Sequence, residues 1–423
     1  MTERGKLAGL TPERGPIGRL LDYGRVPAVT VGEAGRLHSG VARRQTPPVA
    51  PTLVLHILPV DLARGAQTYA REIRLGLDRG ETRHRTLTLF RSGGGPRPDT
   101  LRPDYALDVR PGRLRRAGLD PRVVLRLWRL LRAEAPDVVV AHGSEPLKYA
   151  VLAGVGRDGL VCYKIGAGHT RLTGIRGRIY RTLLRRAAIV AAVSEAAAAE
   201  AAAYGVDAKR LRVIPNGRDP DAYPTDRRPP TNASAPRLTW VGHLDEAKRP
   251  LRFVELVQSL QAAGVEVTAT VAGDGPLLER VRSAAREVEV AGTTTVDVPG
   301  NVADVPALLG VTDVLVLTSA PNEGMPGVLI EAGMAGLPVV TTDVPGASDV
   351  VDNGVTGFVV AVDDFDGLVS ATRTLIEDAG LRARLGAAAR RRCEMEFSLA
   401  ASMRAWQALL AELTDRPIRQ ARR

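Results

Sequence analysis

The chain has 423 residues, long for one domain and comfortable for two at about 100–200 residues each; its 44% hydrophobic content supplies a core for both halves. No apolar run approaches the ~18 residues that cross a bilayer, no signal-peptide core is present, and the two cysteines match no metal spacing. These features exclude a helical membrane protein and a disulfide-stapled secreted one, and predict a soluble cytoplasmic protein.

Residues 1–50, rich in Gly, Pro and Arg and without a sustained period, read as a disordered basic extension or an over-long start. Order begins at Thr52, where TLVLHILPV is an apolar run bounded by proline and suits a buried parallel strand. LTLF (87–90) is strand-like, residues 119–134 carry a helical pattern, and DVVVAHG (137–143) is a strand ending in a polar loop. LVCYKIG and AAIVAAVS follow as strands, separated by a helical segment (175–188) studded with arginines. The Ala-rich stretch 195–203 is helical on propensity. A segment dense in Pro, Asp, Ser and Asn, residues 219–236, is the linker. Beyond it RLTWVG, VEVTATVAG, TTTVDVPG, DVLVLTS and LPVVTTD supply strands with helices between, and 397–413 is an amphipathic helix. Such alternation argues for a doubly wound parallel sheet in each half, with ligands held at the loops beyond the carboxyl ends of the strands.

The net charge of +11 conceals two halves of opposite sign. Residues 51–235 hold 32 cations and 18 anions, residues 236–415 hold 14 and 25. A basic half suits an anionic acceptor, an anionic membrane surface, or the acidic half across a cleft; plain Arg-rich surface charge is the alternative. Aromatic residues make up only 4%, which leaves little for base stacking and argues against nucleic acid. The arginines at 176, 178, 181, 185 and 186 interleave with Ile179, Leu183 and Leu184. This pattern reads either as an ordinary surface helix with its apolar stripe in the core or as a face that docks on anionic lipid.

DVLVLTSAPNEGMPGVLIEAGMAGLPVV is a strand, a loop and a helix in succession. A helix starting near Pro326 places proline where its missing N–H is harmless, and leaves the amides around Gly327 and Val328 free for an anion. Glu331 lies on the same helical face, and Glu323 precedes the helix within reach of a group beyond the anion. The pair offers one carboxylate to a sugar and one to a ribose.

This segment resembles the E-x7-E signature of the family 4 retaining glycosyltransferases of GT-B fold. The resemblance extends from about residue 52 to 413 and includes VVVAHG (138–143), VSEA (193–196), VIPNGRD (213–219), WVGHLDEAKRP (240–250), VAGDGP (271–276) and TGFVV (356–360). It implies an α/β protein of two doubly wound Rossmann-like domains facing a central cleft: an acceptor domain over 51–218, a nucleotide-sugar domain over 237–392, a helix at 393–415 crossing back, and a basic tail at 416–423. It further implies that Glu331 binds the donor ribose, that Glu323 holds the transferred sugar, and that Gly324, Met325, Pro326, Gly327 and Val328 cradle sugar and phosphate. Val302 falls in the base-binding loop, Lys248 matches the cation on the pyrophosphate, and Gly273 in VAGDGP belongs to the donor side.

Two positions depart from the family. An arginine usually precedes the lysine loop; here His243 stands in its place, with Arg249 as a compensating cation. The N-terminal glycine pair is reduced to Arg64-Gly65, and Gly65 still permits close backbone approach. Two histidines compete for the family's mid-chain position: His169 in YKIGAGHT is assigned to catalysis beside Glu323 and Lys248, and His142 to the acceptor side. Asp219-Pro220-Asp221 imitates a metal-binding triplet but falls at the linker, so neither a metal nor another cofactor is expected. Gly273-Asp274-Gly275 is a fragment of a dinucleotide fingerprint without the rest, which argues against NAD. The expected activity is transfer of a sugar, favouring a UDP-sugar donor, to an acceptor hydroxyl in polysaccharide, glycolipid or secondary-metabolite synthesis, at the cytoplasmic side and in peripheral contact with anionic membrane. A nucleotide-sugar epimerase and a non-catalytic nucleotide-sugar-binding protein are the alternatives.

Overall fold

The computed structural model describes residues 51–60, 65–78, 81–91, 103–113, 118–167, 174–223, 235–321 and 323–414. The apolar runs form two all-parallel sheets. The first contains β1 (Thr52–Val60), β2 (Thr82–Phe90), β3 (Tyr105–Val109), β4 (Val138–His142), β5 (Leu160–Lys164), β6 (Ile189–Ala192) and β7 (Leu211–Val213), in the order β3-β2-β1-β4-β5-β6-β7. The second contains β8 (Arg237–Val241), β9 (Thr268–Ala272), β10 (Thr295–Gly300), β11 (Val314–Leu317), β12 (Val339–Thr342) and β13 (Gly357–Val360), in the order β10-β9-β8-β11-β12-β13. In each sheet the strand order therefore reverses once, between β1 and β4 and between β8 and β11. The loops beyond those strand ends diverge and open a crevice.

Both faces of each sheet are covered, which is why the strands read as continuous apolar runs. Along β1 and β4, Val54, Val138 and Val140 enter one core while Leu55, Ile57, Val139 and Ala141 enter the opposite one. The first of these cores continues without a break into the second sheet, through Leu315, Leu317, Leu329 and Ile330.

Four strands differ from the pattern reading: β2 in where it starts, and β3, β7 and β13 in not being read as strands. β2 starts at Thr82 instead of Leu87, because pairing with β1 from Thr52 onwards recruits the polar residues TRHR. The edge strand β3 is too short and irregular, with a register shift against β2, to be read from periodicity.

The helix Ala379–Glu396 packs on Gly327–Met334 so closely that a side chain at Gly333 would meet the Cys393 sulfur. The chain then crosses back. Leu399–Thr414 lies on Gly65–Leu77, with Trp406 Nε1 donating to the Tyr69 hydroxyl at 2.9 Å. This return crossing is tied to the outgoing one: Arg218 N donates to Phe397 O at 2.9 Å, and Leu399 N donates to Arg218 O at 2.7 Å.

The arginine-rich helix Gly174–Arg186 buries Gly177 and Leu184 only. Ile175 and Ile179 are 74% and 52% exposed. Of the stripe Ile179, Leu183 and Leu184, Leu184 is buried and Leu183 packs partly buried against the core, while Ile179 stands on the surface among arginines. Among the described residues no helix is long and apolar enough to cross a membrane.

Candidate active site

The site forms where the loops after β8 and β11, neighbours in the sheet, are stitched together. Trp240 Nε1 donates to Thr318 Oγ1 at 3.0 Å, Thr318 Oγ1 donates to Arg249 O at 2.8 Å, and Ala320 N donates to Ala247 O at 2.7 Å. Lys248 is set in a turn closed by its own amide, which donates to Asp245 Oδ1 at 2.9 Å. The next residue, Arg249, takes a left-handed conformation (φ 48°) that costs a non-glycine residue on the order of 1–3 kcal/mol. That strain turns the chain into the helix Pro250–Ala262 and leaves Lys248 at the crevice. There its ammonium touches Glu323 Oε1, which also accepts from Ser319 Oγ at 2.9 Å. Residues 75 apart in sequence thus share one contact.

Three residues further along, Pro326 stands at the N-cap of Gly327–Met334, one position before its expected place, with Gly327 first in the helix. Leu329 N is satisfied by Pro326 O at 3.1 Å. The amides of Gly327 and Val328 precede any intrahelical acceptor, and the helix dipole adds to their attraction for an anion. Gly324 must be glycine, because a Cβ would stand 2.0 Å from the Ile165 carbonyl oxygen of the first domain. Met325 and Pro326 are buried beneath the loop, while Val328 is half-buried.

Glu331 follows one turn into the helix and accepts from Arg218 Nε at 2.8 Å. Arg218 was not singled out as a site residue by the sequence reading. The available signal was a cation directly after the Asn216-Gly217 turn in VIPNGRD, but its partner depends on the chain crossing. Burial opposes the Arg218 charge, yet Glu331 and Glu72 outweigh it and hold the guanidinium protonated above its ordinary value. Burial pushes the Glu72 carboxyl up, with Arg218 pulling the other way.

Other expected site residues are spread around this centre. His243 is exposed on the loop after β8, and Gly273 packs against that loop, its Cα side facing the Gly242 carbonyl where a Cβ would clash. Val302 is half-buried in the turn after β10. Arg249 reaches Asp363 Oδ1 at 3.4 Å, so its charge is shared with a surface carboxylate. Asp219 of the Asp-Pro-Asp triplet accepts from Asp221 N at 3.1 Å, capping a turn. Gly65 opens the helix Gly65–Leu77; Arg64 and His169 lie outside the described residues.

The first domain meets the second through Ser194 Oγ, which donates to Gly324 O at 2.7 Å, and Glu195 N, which donates to Asp349 Oδ2 at 2.8 Å. His142 lines a cavity of about 320 Å³ shared with Pro59, Ser144, Lys164, Tyr180 and Glu200. Its imidazole is bound inward: His142 Nε2 meets His56 Nδ1 at 3.0 Å, and His56 Nε2 meets His84 Nδ1 at 3.0 Å. The register explains the chain, since His56 pairs with Thr86 and Val140. His84 and His142 therefore sit two residues away on either side, on the same face of the sheet. Burial lowers His142 to about 3 and His84 to about 4. Burial and its two histidine neighbours take His56 well below the usual imidazole range. All three are neutral at physiological pH.

Two family models match adjoining stretches: Glycosyltransferase Family 4 over residues 63–222, and Glycosyl transferases group 1 over residues 225–392. The chain belongs to the family 4 glycosyltransferases. Among curated relatives, glycogen synthase of Mycobacterium tuberculosis is 31% identical over 194 residues, covering 46% of each chain. The match thus spans about half the length of that relative. A GDP-mannose-dependent phosphatidylinositol monomannoside mannosyltransferase of the same organism is 26% identical over 318 residues, 70% of this chain and 79% of its own. The family 4 fold is shared with HepE of Anabaena, crystallised with UDP and glucose: TM-score 0.67 at 21% identity, covering 85% of this chain and all of HepE.

Proposed function

We propose that this family 4 member is a retaining glycosyltransferase that moves a sugar from a nucleoside-diphosphate sugar, a UDP-sugar by preference, to an acceptor hydroxyl. The observation that carries the reading is the placement of two cation-bound glutamates, Glu323 and Glu331, on either side of the free amides of Gly327 and Val328. A diphosphate at those amides would lie between a carboxylate suited to sugar hydroxyls and one suited to ribose hydroxyls. UDP is favoured because HepE, which shares the fold, was crystallised with it.

In this reading the acceptor hydroxyl attacks the anomeric carbon from the face that the diphosphate leaves, and the departing phosphate oxygen takes the hydroxyl proton. Configuration is retained. Lys248 and the helix amides meet the charge that develops on the leaving diphosphate, and Glu323 orients the sugar. The diphosphate needs no metal to be held this way, and the Asp219 carboxylate is engaged in its turn. The exposed Ile175 and Ile179, set among arginines on the acceptor domain, suit peripheral contact with an anionic membrane at its cytoplasmic face.

The test is a screen of UDP-, GDP- and TDP-sugars against polysaccharide, lipid and small-molecule acceptors, read by mass spectrometry. The anomeric configuration of the product is read by NMR. The reading expects one donor to be consumed only when an acceptor is present, with an unchanged anomeric configuration. Inversion would contradict the retaining mechanism. Conversion of the donor to an isomer without an acceptor would instead make the protein an epimerase.

A further inference from the structure

Arg218 belongs to neither sheet. Its backbone lies where the two chain crossings meet: its N–H is held by Phe397 O at 2.9 Å and its carbonyl by Leu399 N at 2.7 Å. A side chain at the preceding Gly217 would strike the Leu399 backbone, so the two crossings lie in direct contact. From this junction the guanidinium enters the crevice, with a side chain only 12% exposed. Nε donates to Glu331 Oε1 at 2.8 Å and Nη1 donates to Gly217 O at 2.9 Å. Nη2 lies over Gly327, 2.7 Å from where a Cβ would stand, and Glu72 Oε2 is 4.0 Å from Nη1.

A planar guanidinium pinned at both ends fixes the plane and height of whatever carboxylate it holds. Here that carboxylate is Glu331. Its Oε1 is engaged, and among the described residues its Oε2 makes no hydrogen bond. Glu72 completes the setting from the first domain: its Oε2 is buried without a hydrogen bond among the described residues, so removing the guanidinium would leave two carboxylates near each other with no cation between them.

We propose that Arg218 is a positioning residue for donor recognition. Anchored where the two domains join, it orients the Glu331 carboxylate toward the donor ribose, so that recognition of the ribose depends on the interdomain junction. The proposal rests on the assignment of Glu331 to the ribose made above, and the experiment separates the two. It requires no bond to be made or broken, and its signature is discrimination of the ribose hydroxyls, which a merely structural role of Arg218 would leave unchanged.

Calorimetry with UDP and GDP, each beside its 2′,3′-dideoxy analogue, measures that discrimination in the full chain. Wild type is expected to bind one ribonucleotide about 10–100-fold more tightly than its dideoxy form, the scale of hydrogen bonds to a charged group. Glu331→Ala should abolish the preference. Arg218→Gln should reduce it to within about threefold, and Arg218→Lys, which keeps the charge without the fork, should fall between. The double variant Arg218→Met/Glu72→Gln removes the cation together with its buried carboxylate neighbour. It is expected to fold, by thermal melting, and still to lose the preference. Loss in Glu331→Ala but a wild-type ratio in the folded Arg218 variants would overturn the role of Arg218. A return of the preference in the double variant would reduce Arg218 to a structural counter-ion. A wild type that binds neither nucleotide, or that ignores the ribose hydroxyls, would overturn the Glu331 assignment itself.

Discussion

In the C-terminal half the charged groups of the site sit in the loops after β8 and β11 and in the helix that follows, and come in cation–carboxylate pairs: Lys248 with Glu323, and Arg218 from the junction with Glu331. In the N-terminal half the notable polar groups lie inside. His56, His84 and His142 cross three adjacent strands as a buried chain, and His84 Nε2 and His142 Nδ1 have no partner among the described residues. The same parallel architecture thus keeps its charges at the crevice in one half and holds neutral imidazoles in the core of the other. Charges at a crevice can change partners when a ligand arrives, whereas the buried imidazoles are committed to one protonation state.

The largest effect expected from this contrast is Glu323→Ala. Because its contacts lie at the half-buried crevice, the variant should melt within about 2 °C of wild type while sugar transfer falls by roughly 10³-fold or more, consistent with loss of substrate positioning. Near-wild-type turnover would remove Glu323 from the reaction. The second effect belongs to the N-terminal half. Its histidines have folded-state values below the unfolded one near 6.5, so between about 4 and 6.5 the unfolded chain binds more protons than the folded one. Stability should therefore be full above pH 6.5 and fall as the pH drops, by on the order of 2 kcal/mol for each of His84 and His142 at pH 5, with His56 acting in the same direction. The triple variant His56→Leu/His84→Leu/His142→Leu should melt with a shallower dependence between pH 7 and 5. An equal slope in both proteins would show that the buried chain does not set acid sensitivity.

A smaller effect is expected at the basic surface. Wild type should sediment with phosphatidylglycerol vesicles and be released by high salt, while Ile175→Ser/Ile179→Ser should bind a few-fold less. Equal binding to neutral phosphatidylcholine vesicles would contradict an electrostatic contact.

The contrast also separates what was legible in the sequence. Strand runs were readable because both faces of each sheet are buried, and Glu323, Gly327 and Glu331 because a strand, loop and helix fix their relative placement locally. The family resemblance supplied Lys248; its contact with Glu323 follows from β8 and β11 being neighbours at the sheet's reversal. Arg218 was missed as a site residue because its position depends on the return crossing near residue 398, which no local pattern encodes. The imidazole chain was also missed, since it requires the exact offsets of β2 and β4 against β1. His142, expected on the acceptor side, lines the cavity, and those offsets direct its ring nitrogen to His56.

The central claim is that the Lys248–Glu323 crevice and the helix starting at Gly327 hold the donor diphosphate. Titration of UDP into wild type and Lys248→Ala by calorimetry tests this most directly. The account predicts one saturable site in wild type and about 10–100-fold weaker binding in the variant, the scale of a charge-assisted phosphate contact. Equal affinity in the two proteins, with both folded, would contradict it.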